Sequence, residues 1–370
     1  AREVNRDTFP VVAIILNPHF AQGVRNDLTP YHRGCAINEN YPGIAKQVIS
    51  ALISGDKKRG RVRWPFTVKR LIIQTNDKKE IISYMDTSTY SLANGIALTL
   101  RTPAAAGPHP TVVLCHGFCG IQPILLPAFA EAFTRAGFAT VTFDYRGFGD
   151  SEGERGRLVP AMQIEDILSV VAWVGEQPAL DAGRIGVWGT SFGGCHVFAA
   201  AAQDARIKCV VSQLAFADGE AIVTGHMNEG EKRAFIDTLD KMAQKQQATG
   251  KEMMVAITRV LSDAESKAFF EENRTRFPQM DIKIPFLTVR ETLNYHPAEW
   301  AAKVSCPTLV VIAAEDSVNP PAQGRALFDA VAAAEKALHE EAGARHYDIY
   351  SGEAFERVSK VQTAWFARHL

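Results

Sequence analysis

The run Gly189-Thr190-Ser191-Phe192-Gly193-Gly194 follows the apolar segment Ile185 to Trp188 and precedes a helical pattern from Cys195 to Ala202. A serine on a tight strand-to-helix turn needs glycine on both sides, because the backbone is strained there and neighbouring elements approach closely. That context marks Ser191 as a candidate nucleophile and not an ordinary turn serine. A serine hydroxyl attacks poorly at neutral pH, so it needs a histidine base, and the histidine needs a carboxylate to orient it. Behind a serine in this setting the acid and the histidine follow in that order along the chain. Asp316 stands just after the apolar run Thr308 to Ala313, in Ala314-Glu315-Asp316-Ser317-Val318-Asn319-Pro320, with Glu315 as its neighbouring competitor. His346 lies in Gly343-Ala344-Arg345-His346-Tyr347-Asp348, between a short polar strand pattern and the last helical pattern. His339 sits inside that strand and His369 at the chain end, and neither position suits a catalytic loop. Attack on an acyl bond also creates an oxyanion, which needs two preorganised backbone donors. The expected donors are the amides of Phe192, next to the nucleophile, and of Phe118, in His116-Gly117-Phe118-Cys119-Gly120. Gly117 would let this loop pass close to Ser191, and His116 is expected to order the loop by bonding to backbone.

These residues need a sheet to carry them. From about Val68 short β-rich runs alternate with helical patterns, which implies βαβ units and a mostly parallel sheet. The expected strands are Leu71 to Gln74, Ile96 to Arg101, Thr111 to Cys115, Ala139 to Phe143, Ile185 to Trp188, Cys209 to Gln213 and Thr308 to Ala313. Their near-continuous apolar character suits a sheet buried on both faces. Helices are expected at Met162 to Trp173 and Pro321 to Leu338. Between Asp218 and Ala301 the alternation stops, and charged amphipathic patterns predict helices at Glu231 to Gln246, Lys251 to Leu261 and Ala264 to Asn273. The expected organisation is an extension over 1–66, an α/β core over 67–217 and 302–370, and a helical cap over 218–301. Leaving the sheet at its carboxyl edge, the cap would supply an apolar acyl pocket, with Met227, Met253, Met254 and Phe269 as lining candidates. The extension holds an apolar run from Val11 and a helical pattern from Pro42, with Ile44, Val48, Ile49, Leu52 and Ile53 on one face. That face would pack on the core or on a second subunit, the latter making a homodimer.

At 370 residues, with 46% apolar and 22% charged residues, the chain can bury a large core without staples. Forty Lys and Arg against 41 Asp and Glu leave a net charge of −1, so no global field attracts nucleic acid or an anionic membrane. The basic run Lys57 to Arg63 is expected to be a solvated connector. No apolar run approaches the roughly 18 residues of a spanning helix, so no membrane partner is expected. The six cysteines form no CxxC pair and no metal-finger spacing, which predicts buried free thiols, a reducing cytoplasmic setting and no bound metal.

Across 68–370, the motifs His116-Gly117-Phe118, Asp144-Tyr145-Arg146-Gly147-Phe148-Gly149-Asp150-Ser151, Gly189-Thr190-Ser191-Phe192-Gly193-Gly194, Glu315-Asp316-Ser317-Val318 and His346-Tyr347-Asp348-Ile349-Tyr350 resemble the α/β-hydrolase superfamily. Within it they resemble the dienelactone-hydrolase-like branch that includes fungal polyketide transferases. The resemblance implies an α/β-hydrolase fold, the triad Ser191, Asp316 and His346, and oxyanion donors at Phe118 and Phe192. The acid loop opens on Ala313-Ala314 where that family usually has Gly, and the first 66 residues match no part of it. The expected activity is cofactor-free hydrolysis of a small-molecule ester, lactone or thioester through an acyl-enzyme. The alternative is acyl transfer or thioester release with the same triad. A non-enzymatic binding protein on a hydrolase scaffold is the reading from another class, disfavoured by the complete triad. Gly147-Phe148-Gly149 lacks the third glycine of a dinucleotide fingerprint, since Glu152 stands there. Epoxide hydrolases and haloalkane dehalogenases of this fold carry Asp at the elbow, where this chain has Ser191. Cys115 and Cys195 fall in a strand and a helix, where packing is the expected role.

Overall fold

The computed structural model describes residues 85–370 and three earlier strands, β1 (Val11–Ile15), β2 (Arg70–Gln74) and β3 (Lys79–Ser83). These three form a sheet of their own, β1 parallel to β2 and β2 antiparallel to β3. The helix expected from Pro42, the basic run Lys57 to Arg63 and the packing expected of 1–66 lie outside the described residues.

The remaining chain runs through β4 (Met85–Ser91), β5 (Ala97–Pro103), β6 (His109–Cys115), α1 (Leu126–Arg135), β7 (Ala139–Phe143), α2 (Pro160–Gly175), β8 (Leu180–Thr190), α3 (Phe192–Gln203) and β9 (Ile207–Gln213). It continues through α4 (Gly219–Thr224), α5 (Glu229–Thr249), β10 (Met254–Ala256), α6 (Ala264–Asn273), β11 (Lys283–Pro285), α7 (Thr288–Leu293) and α8 (Pro297–Ala301). It closes with β12 (Thr308–Ala313), α9 (Pro321–Ala330), β13 (Lys336–Glu341) and α10 (Gly352–His369). Eight strands make one sheet in the order β13-β12-β9-β8-β6-β7-β5-β4. From β7 to β13 every pair is parallel, and β5 joins β7 antiparallel.

Side chains alternate across this sheet with the period of two that a strand imposes. Val112 and Leu114 of β6 face Phe129, Phe133 and Phe366 of α1 and α10, while Val113 and Cys115 face the opposite layer, with Ile167, Val171, Val197 and Phe198 of α2 and α3. Both layers are closed, so β7 and β12 are buried at every position, and the threonines within β7 are hydrogen-bonded, Thr140 to Thr134 and Thr142 to Gln122. The cysteines at 115, 119, 195 and 209 are buried free thiols, and Cys306 is a half-buried one.

Two expected helices differ. The pattern from Pro321 ends at Ala330, where Val331 leaves helical geometry at ψ 122°, and Leu338 belongs to β13, paired with Val310. Lys251 to Leu261 is not a helix. Val255 pairs with Ile284 in the antiparallel β10–β11 ribbon, and one 3₁₀ turn, Ile257–Arg259, follows. A short apolar run cannot tell strand from helix by periodicity alone, and here the partner strand decides. The long helix α5 is set by local signals: Asn228 and Glu231 form a reciprocal capping box, and Gly250 ends it at φ 67°. Among the described residues no helix is long and apolar enough to cross a membrane.

Candidate active site

β8 ends at Thr190 and α3 begins at Phe192, so Ser191 alone makes the corner, at φ 54° and ψ −121°. A non-glycine residue there is strained and persists only where its surroundings hold it. The surroundings are backbone. A Cβ on Gly193 would stand 2.3 Å from the His116 carbonyl and 2.4 Å from that of Cys115, and one on Gly189 would stand 2.2 Å from the Gly193 carbonyl. The glycines therefore let β6, β8 and α3 meet directly. The Ser191 N–H donates to Gln213 O at 2.8 Å, tying the corner to β9. Cys119, Leu125 and Leu214 also have positive φ, at 53°, 62° and 53°. With Ser191 they are the described non-glycine residues in that region.

Asp316 follows β12 and His346 follows β13. His346 Nδ1 donates to Asp316 Oδ2 at 2.7 Å, with the side chains 3% and 1% exposed. The other carboxylate oxygen, Oδ1, accepts the amides of Val318 and Asn319 at 2.8 Å each. Glu315 is exposed beside it and makes no such bond. His346 Nε2 is left for the cavity it shares with Ser191. The chain thus brings together the serine, the acid and the histidine expected from the sequence. Ser191 Oγ itself accepts from Asn319 Nδ2 at 3.4 Å, and no hydrogen bond joins it to His346 among the described residues.

Gly117 passes so close that a Cβ there would stand 3.1 Å from Ser191 Cβ. The next residue, Phe118, meets Phe192 edge-on with ring centroids 5.6 Å apart. Among the described residues no acceptor lies on the N–H of Phe118 or Phe192, so both are available to a ligand. His116 orders the loop as expected. Its Nδ1 accepts the Gly117 amide at 2.7 Å, and its Nε2 donates to Ile124 O at 2.9 Å. Burial pushes its pKa down to about 4, which keeps it neutral.

Two cavities meet at Ser191. A small one, about 50 Å³, is lined by His116, Leu125, Phe269, Met280, His346, Tyr347 and Tyr350 among others. A large one, about 690 Å³, is lined by Phe192, Phe216, Val223, Met227, Phe235, Val260 and Val289, with Arg259, Asp263, His226, Ser262, Thr292, Ser317 and Asn319 as polar members. Phe118, Ser191, Leu261 and Val318 line both. Of the expected pocket residues, Met227 lines the large cavity. Phe269 lines the small one, stacked on Tyr347 with centroids 4.4 Å apart and planes 13° apart. Met253 and Met254 line neither and are 49% and 40% exposed, because the β10–β11 ribbon turns them to solvent.

Sequence reasoning missed Asn319 and a buried chain of polar groups below the corner. Trp188 Nε1 donates to Gln362 Oε1 at 2.9 Å, Gln362 Nε2 to Gln213 Oε1 at 2.6 Å, and Gln213 Nε2 to Thr190 Oγ1 at 3.2 Å. Thr190 Oγ1 is also 2.5 Å from Tyr350 OH. This chain holds the residue before the serine to the turn after the histidine. Among the described residues no group of His, Cys, Asp and Glu could hold a metal ion.

Residues 110–353 match the model of the alpha/beta hydrolase fold family. A protein of Escherichia coli, described as an uncharacterized 31.7 kDa protein in the traX-finO intergenic region, is 65% identical over 286 residues, 77% of this chain and all of that one. Thiohydrolase aneE of Aspergillus aculeatus is 28% identical, over 73% of this chain and 88% of its own. Polyketide transferase af380 of Aspergillus fumigatus is 28% identical, over 70% of this chain and 90% of its own.

Proposed function

The chain belongs to the α/β-hydrolase fold family, a hydrolase-type enzyme by that membership, and on this premise we propose that it is a serine hydrolase of carboxylic esters, lactones or thioesters. One observation carries the reading. Ser191, on its strained corner, opens into the same cavity as a buried His346 whose other nitrogen is held by a buried Asp316 at 2.7 Å.

In the proposed reaction Ser191 Oγ turns from Asn319 toward His346 Nε2 as substrate enters. Catalytic hydrogen bonds are often long in the unliganded enzyme and tighten in the complex. Oγ bonds to the acyl carbon while its proton passes to Nε2. The carbonyl oxygen takes the charge and lies between the amides of Phe118 and Phe192. Asp316 keeps His346 in the tautomer that can accept at Nε2 and stabilises the imidazolium that forms. The leaving atom departs with that proton, and water repeats the sequence in reverse to free the acid and Ser191. Residues 218–301 act as the cap, a role supported by Met227, Phe235, Val260 and Val289 sharing a cavity with Ser191. The apolar part of the wall favours an apolar acyl group, with Arg259, Asp263 and His226 placing polar groups in the same chamber. Transfer of the acyl group to an alcohol or thiol, or release from a thioester, uses the same steps and is kept as the second reading, supported by the names of the transferase and the thiohydrolase among the relatives.

The test is labelling with an alkyl fluorophosphonate, compared between the wild-type chain and Ser191→Ala, beside turnover of simple esters. Labelling should require Ser191, and Ser191→Ala should lose about 10⁴ or more in kcat. Near-normal turnover in a folded Ser191→Ala protein would sink the mechanism.

A further inference from the structure

We propose that the two cavities divide the substrate at its scissile bond, the acyl group filling the large one and the leaving group the small one. The preferred substrate is then an ester or thioester of a bulky acyl group with a slender alcohol or thiol. The proposal rests on the serine-hydrolase reading above and adds the direction in which the substrate lies.

The argument turns on where His346 is. Its Nδ1 is committed to Asp316, so the proton reaching the leaving atom must come from Nε2. A general acid works only within hydrogen-bond reach of the atom it protonates, about 2.6–3.2 Å. His346 lines the small cavity and is absent from the walls of the large one. At the tetrahedral carbon one bond goes to Ser191 Oγ, the oxyanion points to the Phe118 and Phe192 amides, and the leaving atom points to His346. The acyl chain takes the remaining direction, into the chamber walled by Phe216, Met227, Phe235, Val260 and Val289.

The sizes then set specificity. The acyl chamber holds about 690 Å³ and the leaving-group side about 50 Å³. For scale, an engineered apolar cavity of about 150 Å³ takes up benzene. The small cavity has stiff walls as well. Tyr347 is stacked on Phe269 and lies 3.2 Å from Ser266 Oγ through its hydroxyl, Tyr350 is bonded to Thr190, and Met280 is 3% exposed. The same side admits the second substrate. In deacylation the attacking oxygen bonds to the acyl carbon and gives its proton to His346 Nε2, while the bond to Ser191 Oγ breaks and Oγ takes that proton. Water passes such an entrance easily. A branched or aromatic alcohol does not, so this enzyme hydrolyses, or transfers only to a slender primary thiol or alcohol.

The test uses two ester series with the full chain. With methanol as the fixed leaving group, lengthening the acyl group from acetyl to octanoyl should raise kcat/KM by about 10² or more. With octanoyl fixed, enlarging the alcohol from methyl to benzyl to naphthylmethyl should lower kcat/KM by about tenfold at each step. Leu125→Ala and Met280→Ala, two independent openings of the small cavity, should each narrow the gap between methyl and naphthylmethyl esters by about tenfold. Fluorophosphonate labelling of Ser191 serves as the separate control, because its leaving group, fluoride, is small enough for either side. Intact labelling with naphthylmethyl esters cleaved as fast as methyl esters, or with octanoyl esters rejected, overturns the division while leaving the nucleophile in place. Absence of labelling overturns the nucleophile and the division with it.

Discussion

The carboxyl edge of the large sheet and the insertion over 218–301 are built to different standards. Nine of the twelve residues of α3 are buried, and β12 is buried throughout, whereas α5 buries Leu239 alone in 21 residues. Polar groups at the edge are deep and paired, as in the Asp316–His346 bond and the chain from Trp188 to Tyr350. The insertion buries scattered residues such as Ile257, Met280 and Ile284 in the core, while its long helix is tied by half-exposed ion pairs such as Arg290–Asp240, which contribute roughly 0–1 kcal/mol each. Polar and stacking ties join it to the rest of the chain. Arg157, in the loop after β7, binds Glu252 through two nitrogens at 2.8 and 2.6 Å, and α6 touches the catalytic loops through Glu265–Ser317 and Phe269–Tyr347. Groups that must meet within a few tenths of an ångström stand on the element that cannot yield. Walls that need only exclude water and fit a chain stand on one that can, and lightly packed elements open at lower free energy than the core.

The largest effect expected of this contrast is chemical. Asp316→Asn should lower kcat by about 10⁴ with KM little changed, while Glu315→Gln, one residue away and exposed, should stay within about twofold. Steady-state kinetics on both variants would show an assignment one residue out if the order were reversed. Next in size is packing. Phe198→Ala, fully buried in α3, should cost about 3–5 kcal/mol of global stability in denaturant. Leu239→Ala in α5 should instead speed hydrogen exchange within the insertion, with global stability changing by less than about 1 kcal/mol. Equal global losses would erase the distinction between the two regions.

A further effect is graded with acid. Burial lowers the pKa of His116 to about 4 and of His196 to about 3, from an ordinary 6.5. His196 is neutral between Gln163 Oε1 at 2.9 Å and Tyr295 OH at 3.0 Å. Below pH 6.5 the unfolded chain binds protons that the folded one refuses, so stability falls as pH falls. The slope is about 1.4 kcal/mol per pH unit for each histidine until the folded pKa is reached. Above pH 6.5 neither contributes a slope. His196→Gln should remove its share between pH 6 and 4, and an unchanged acid slope in that variant would place the sensitivity elsewhere.

The corner was legible because its signal is local. Glycines at 189 and 193 around Ser191, an apolar strand before and a helix after, are all within about fifteen residues of one another. The acid and histidine were legible by chain order and by the ends of β12 and β13. Asn319 was not, although it stands three residues after Asp316, because its partners Leu214 O and Ser191 Oγ are 105 and 128 residues away in sequence. Gln213 and Gln362, separated by 149 residues, look like ordinary surface glutamines until β9 and α10 face each other. The exposure of Met253 and Met254 was hidden for a similar reason: a three-residue strand takes its direction from its partner, Lys283–Pro285, and not from its own pattern.

The buried thiols give the molecule a clock. Cys115 and Cys195 flank the corner, and burial pushes both well above the usual thiol range, as it does Cys119 and Cys209, while Cys306 rises to about 11. Alkylation needs the thiolate and a path to it. Each of the four buried sulfurs therefore reacts at the rate at which its own neighbourhood opens. Cys195 and Cys115 would time the nucleophile's corner, and Cys209 the β9 layer beneath it, by mass spectrometry and without any introduced probe.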